Sequence, residues 1–169
     1  RTFLASPSRD LYERITSKDD YIDNLKTIIE NKCFTKIHTE SLEKKEINRI
    51  RSIQTIGVNL ERIADFCVNI VRQMGYLDDY KVLRQYRYNA AFTEIQESLA
   101  QILPEFHNVD LAGDLSICKT EYALDEIYKT NFDRIMKELR AGGDTQRLIT
   151  ILFIFRYLER IGDSMLNVG

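Results

Sequence analysis

One pentapeptide occurs twice in this chain. Glu61-Arg62-Ile63-Ala64-Asp65 returns as Glu159-Arg160-Ile161-Gly162-Asp163. The match extends outward at a constant offset: Leu60 aligns with Leu158, Asn69 with Asn167, Ile70 with Val168 and Arg49 with Arg147. Spaced polar identities in two separate segments imply two copies of one helical unit, packed in tandem.

The patterning around the repeat is helical. A first helix is expected over about Asp10 to Lys32, with Ile22, Leu25, Ile28 and Ile29 on one side, Pro7 near its start and Ser6 as its cap. A second is expected from about Leu42 to Met74. Ser41, with Lys44 at the third following position, offers half a capping box. Ile50, Ile53, Gly57, Leu60, Ala64, Cys67 and Val71 alternate three and four apart and predict a packing seam, which Ile56, Ile63, Ile70 and Met74 widen into a bundle face. Gly75 closes that helix.

A third helix is expected over about Asp78 to Phe106, with Ala91, Ile95, Leu99, Ile102 and Leu103 inward and Tyr86, Tyr88, Phe92 and Phe106 as core and rim packing. His107 to Gly113 reads as a loop and Asp114 to Arg140 as a fourth helix. Gly142-Gly143 reads as a stop, and a fifth helix starts near Asp144 and still runs at Asn167. Unit one then spans about 10–106 and unit two about 113–169, within one domain of 1–169.

The bulk numbers narrow the function. With 2 prolines, 7 glycines and 30% charged residues, long helices suit the composition better than many-stranded sheets. A net charge of −2 with no basic block argues against nucleic acid as a partner. No apolar run approaches the ~20 residues that span a bilayer. Cys33, Cys67 and Cys118 are odd in number and far apart, which suits a reducing compartment better than a disulfide framework. The chain opens without methionine and closes inside a helical pattern, so residues beyond both ends are expected.

The chemistry lies in the acids. Glu61 and Asp65 stand four apart, as do Glu159 and Asp163; Asp19 and Asp23, and Glu121 and Asp125, repeat the step on the preceding helices. Residues four apart share a helix face, and like charges there repel by a few tenths of a kcal/mol. Facing pairs would gather four carboxylates in each unit, an oxygen-donor set that Fe, Mn, Mg or Zn ions accept. Ala64 and Gly162, between the acids, are small enough to let a helix or an ion approach. Asn69 and Asn167, one turn on, are placed to orient a carboxylate or complete a shell. Two readings stay open on spacing alone: a cation site, and charge pairs that are solvated or matched by arginines such as Arg62 and Arg160. His38 and His107 do not repeat and read as surface residues. A ferritin-like di-iron enzyme would want Glu-x-x-His on these helices, which they lack, and no nucleophile with its base is visible.

Leu60 to Ile70 (LERIADFCVNI) and Leu158 to Val168 (LERIGDSMLNV) resemble the paired motif of the PhoU family of phosphate-uptake regulators. The resemblance implies an all-α fold of tandem antiparallel three-helix bundles, with the second bundle lacking its last helix here. It implies metal ligands at Asp19, Asp23, Glu61 and Asp65 in unit one and at Glu121, Asp125, Glu159 and Asp163 in unit two, with iron or zinc as the metal. It further implies a non-catalytic regulator of phosphate transport or signalling in the cytoplasm, at the inner face of the membrane through its partners. Those partners are phosphate-transporter or sensor-kinase components, with a homo-oligomer allowed. A PhoU-like domain fused to a transporter, or acting as an interaction scaffold, is the alternative.

Overall fold

A computed structural model describes residues 8–105 and 111–168. Among them are five α-helices, α1 (Arg9–Thr39), α2 (Lys44–Met74), α3 (Tyr88–Glu105), α4 (Leu111–Arg140) and α5 (Thr145–Leu166), with a 3-10 helix at Tyr80–Tyr86 and no strand.

The helix ends follow local chemistry and correct several sequence expectations. Ser8 caps α1, its hydroxyl accepting from the Leu11 N–H at 3.2 Å; Ser6 and Pro7 lie outside the described residues. α1 runs a further two turns past Lys32. Threonine hydroxyls and the His38 ring bond back to carbonyls one turn earlier along this exposed end. Ser41 is not the cap of α2: Glu43 holds that position, and the Glu46 carboxylate accepts its backbone N–H at 3.2 Å. Gly75 does end α2, in right-handed backbone.

The expected third helix is cut in two. Asp79 caps the 3-10 turn through the Lys81 N–H, and Arg87 at φ 61° breaks the path before α3 begins. α4 starts earlier than expected and takes in Gly113 and Asp114; Phe106, His107 and Asn108 lie outside the described residues. Gly142 at φ 83° makes the expected stop, and Asp144 caps α5 by accepting from the Arg147 N–H at 3.0 Å.

The two repeat-bearing helices pack on each other. Phe66 stacks on Tyr157 with ring centroids 6.0 Å apart, and the residues after α2 share a cavity with Asp144 and Arg147 at the start of α5, so the pair is antiparallel. Ile63, Ile70 and Met74 of α2 join Ile154, Leu158, Ile161 and Met165 of α5 in one core. α1 lies against α2; α3 and α4 lie against α5 and against each other. The third helix, grouped with unit one in the sequence reading, thus has its main packing in unit two.

A clamp directs it there. The Tyr86 hydroxyl donates to Glu138 Oε2 at 2.7 Å, Arg134 Nε donates to Glu138 Oε1 at 2.7 Å, and the Arg134 guanidinium covers the Tyr86 ring at 4.3 Å. Buried Asn131 donates to the Tyr86 carbonyl at 2.9 Å. Tyr86 and Tyr88 then meet Phe155 of α5, each at 6.4 Å between ring centroids. Tyr86, Tyr88, Ala91 and Ile95 are buried and Phe92 and Leu99 partly so, as their patterning predicts.

The consequence is an unequal pair of units. The expected seam on α2 is half open: Ile53, Leu60 and Cys67 are exposed, whereas their equivalents Ile151, Leu158 and Met165 are buried. Between α1 and α2 runs an apolar groove of about 520 Å³, floored by Gly57, Leu60, Ala64 and Cys67 and walled by Ile15, Ile22, Leu25 and Ile29. At the position of Gly57, unit two carries Phe155, which fills its core.

This asymmetry predicts different costs for one chemical change. Leu158 is 1% exposed and Leu60 is 37% exposed. Leu158→Ala should cost roughly 2–5 kcal/mol in urea unfolding, and Leu60→Ala less than about 1 kcal/mol. Equal costs would show that the α1–α2 groove is covered in solution.

Candidate acidic sites on the paired helices

Each repeat carries its acids on the rim of the α2–α5 core, because the motif's apolar residue Ile63 or Ile161 points into that core. In unit one the expected helices do face each other. Asp19 of α1 is close enough to Asp65 of α2 for their charges to interact. Partial burial, then Asp65 and Asp20, push the Asp19 carboxyl above its ordinary range, against the pull of Arg72. Asp23 and Glu61 are linked through Lys26, whose Nζ is 3.8 Å from Asp23 Oδ1 and 3.8 Å from Glu61 Oε1. Asn69 orients Asp65 as expected, its amide donating to Oδ2 at 3.1 Å, and Arg72 donates to the Asn69 carbonyl at 3.3 Å.

Unit two is tighter. A Cβ on Gly162 would come 2.8 Å from the Leu124 side chain and 3.6 Å from the Glu121 Cα, so α4 approaches α5 where the motif is smallest and brings Glu121 beside it. The Glu159 side chain is 13% exposed, against 33% for Asp163 and 29% for Asp125. Arg156 donates to its Oε1 at 2.8 Å, while its Oε2 is buried without a partner among the described residues. Burial, then Asp163 and, more weakly, Asp125 push the Glu159 carboxyl up; Arg156 and Arg160 oppose them. Asp163 accepts from Arg160 at 3.3 Å, and Asp125 pairs with Lys129 at 2.6 Å. Asn167 departs from expectation: it donates to the Asp163 backbone carbonyl at 2.9 Å and leaves the carboxylate alone.

The acids are therefore brought together across α1–α2 and α4–α5, yet Asp23, Glu61, Asp125, Glu159 and Asp163 pair with cations of the chain. Among the described residues, no group of three or more His, Cys, Asp or Glu converges as a ready metal shell. The pairing cations Lys26, Lys129 and Arg156 were not singled out by the sequence reading; Lys26 and Lys129 stand one turn from an acid of the motif, the one signal that could have found them. Arg62, expected as a partner for acids, lies instead over the Phe66 ring at 5.9 Å.

A raised carboxyl carries a pH consequence. Between its unfolded value and the raised native one, Glu159 is protonated more readily in the folded state, so stability falls as pH rises through that window. Glu159→Gln should remove this loss. Urea unfolding across a pH series should find the variant more stable than the parent above the window and similar to it below the ordinary glutamate range.

The family model described as the PhoU domain matches residues 2–74 and 89–169; the stretch it passes over holds the 3-10 helix. The phosphate-specific transport system accessory protein PhoU homolog of Borreliella burgdorferi is 28% identical over 174 residues, covering 98% of this chain and 78% of the relative. The homolog so named from Clostridium acetobutylicum is 28% identical over 172 residues, covering 98% and 77%. The crystal structure of PhoU from Pseudomonas aeruginosa shares the fold, with a TM-score of 0.75 at 24% identity over 94% of this chain and 78% of that one.

Proposed function

Since the chain belongs to the PhoU domain family, we propose that it is a non-catalytic accessory regulator of phosphate transport, and that its acidic rim takes up metal ions. The family match over both repeats and relatives named as accessory proteins of the phosphate-specific transport system support the first part. Its partners on this reading are transporter or sensor-kinase components. On the same reading it works from the cytoplasm and reaches the inner face of the membrane through those partners; among the described residues no helix is long and apolar enough to cross a membrane.

The metal part rests on one observation, the buried Glu159 Oε2 that no group among the described residues satisfies. A buried carboxylate oxygen without a partner is costly. A cation held by Glu159, with Asp163, Asp125 and Glu121, would relieve it, and this all-oxygen set suits iron, manganese or magnesium and also accepts zinc. Unit one fits less well, because Lys26 already lies between Asp23 and Glu61. When bound, the ion would supply charge neutralisation; the residues' part is to fix α4 against α5 around it.

The scaffold reading is favoured by a different observation: most of these acids already have cation partners. Elemental analysis separates the two. Protein purified aerobically and anaerobically should carry iron or zinc, and Glu159→Gln with Asp163→Asn should lose at least half of it. Metal-free protein from both preparations would leave the acids as a solvated surface, and the scaffold reading would stand.

A further inference from the structure

We propose that the open face of unit one is a docking site for another protein, and that the segment it takes is an acidic amphipathic helix. The internal repeat supplies the template. When Asp23 is aligned with Asp125, the wall residues Lys18, Ile22, Leu25 and Ile29 of α1 fall on Thr120, Leu124, Ile127 and Asn131 of α4. Ile53, Leu60 and Cys67 of α2 likewise fall on Ile151, Leu158 and Met165 of α5. All of these unit-two residues are buried, and α3 is the helix that lies over α4 and α5. In unit one Leu25, Ile53, Leu60 and Cys67 are exposed. The same seat is present, and among the described residues no helix fills it.

The shape of the seat selects its occupant. The α1 wall runs from Ile15 to Ile29, roughly four helical turns or 21 Å. That length suits one helix of ordinary size lying along the groove. Gly57 leaves a notch in the floor, since a Cβ built there meets no atom within 4 Å. Its counterpart is Phe155, whose ring meets Tyr88 of α3 in the core of unit two. In unit one the incoming helix must bring the large side chain itself, as an anchor over Gly57.

Charge selects as well. Arg14, Lys18, Tyr21, Leu25, Ile28 and Lys32 follow one another three or four apart on α1, so they form one stripe along the outer edge of the groove. The stripe holds three cations and no acid. Among the described residues none of these cations is in an ion pair. Lys26 is different, being held by Asp23 and Glu61, and Asp19 lies at the inner edge within reach of the Asp65 charge. The helix on the equivalent seat in unit two has the matching sign: α3 carries Glu94, Glu97 and Glu105 and no lysine or arginine. A second copy docking groove to groove would set the three cations against their like, so the partner is a different chain with carboxylates beside its apolar stripe.

The test uses two synthetic helices of the length of α3, each with a leucine stripe and one central phenylalanine. One is flanked by glutamates and the other by lysines. Fluorescence anisotropy follows their binding to the full chain at low and high salt. The glutamate peptide should bind at least tenfold more tightly at low salt, with the gap narrowing as salt rises. Lys18→Glu/Lys32→Glu should reverse that order. Gly57→Phe fills the notch from within; it should weaken the glutamate peptide at least tenfold and leave the melting temperature at or above that of the parent. Leu60→Glu, at an exposed position, should weaken the peptide as much in a chain that circular dichroism finds folded. Equal binding of the two peptides, or binding that Gly57→Phe and Leu60→Glu both leave intact, overturns the proposal. So does failure of both peptides to bind the parent, which would show the groove closed by the chain itself. A dimer in sedimentation that Leu60→Glu dissolves would give the groove to a second copy and overturn it too.

Discussion

The antiparallel contact between α2 and α5 is the constraint from which the remaining geometry follows. Ile63, Ile70 and Met74 on one side and Ile154, Leu158, Ile161 and Met165 on the other form a dry seam through the middle of the molecule. Burying such side chains gives roughly 1.5–3 kcal/mol each, which no surface charge pair approaches. Because each repeat turns its isoleucine into this seam, its glutamate and aspartate are carried to the rim whether or not that suits them. The outer helices then decide what those acids meet: α1 brings Asp19, Asp23 and Lys26 to one rim, and α4 brings Glu121 and Asp125 to the other.

The clamp at Tyr86 decides how the rest of the chain is shared. A left-handed Arg87, a tyrosine hydroxyl tied to Glu138 and a backbone carbonyl held by Asn131 leave α3 little choice but to continue over α4 and α5. Glu138, held below the ordinary carboxyl range by the Tyr86 and Arg134 hydrogen bonds, keeps its charge there. Repetition in sequence thus ends in asymmetry of packing. Two near-identical motifs sit in different surroundings, one under three helices and one beside an open groove.

Much of this was legible in the sequence, and the failures have physical causes. The repeat, the helical class and the placing of facing acids followed from i, i+4 geometry, which a long helix obeys wherever it packs. The α2 seam through Leu60 and Cys67 was misjudged because periodicity tells which residues share a face and not which face is covered. The break at Arg87 was missed because no glycine marks its positive φ. At the acids, Lys26 went unread because its role needs the height of α1 against α2, and Glu159 reads the same as Glu61 until α4 is known to press on Gly162.

The open groove between α1 and α2 also bears on motion. α1 has its main packing on α2 alone, and few of its side chains are fully buried, Cys33 among them. Such a helix can detach while α2 to α5 hold their core, through a local opening far smaller than the free energy of complete unfolding. The acids of unit one would separate in that event and those of unit two would not. α1 is thereby the element placed to open first, and α2 to α5 are the part that holds until the whole chain unfolds.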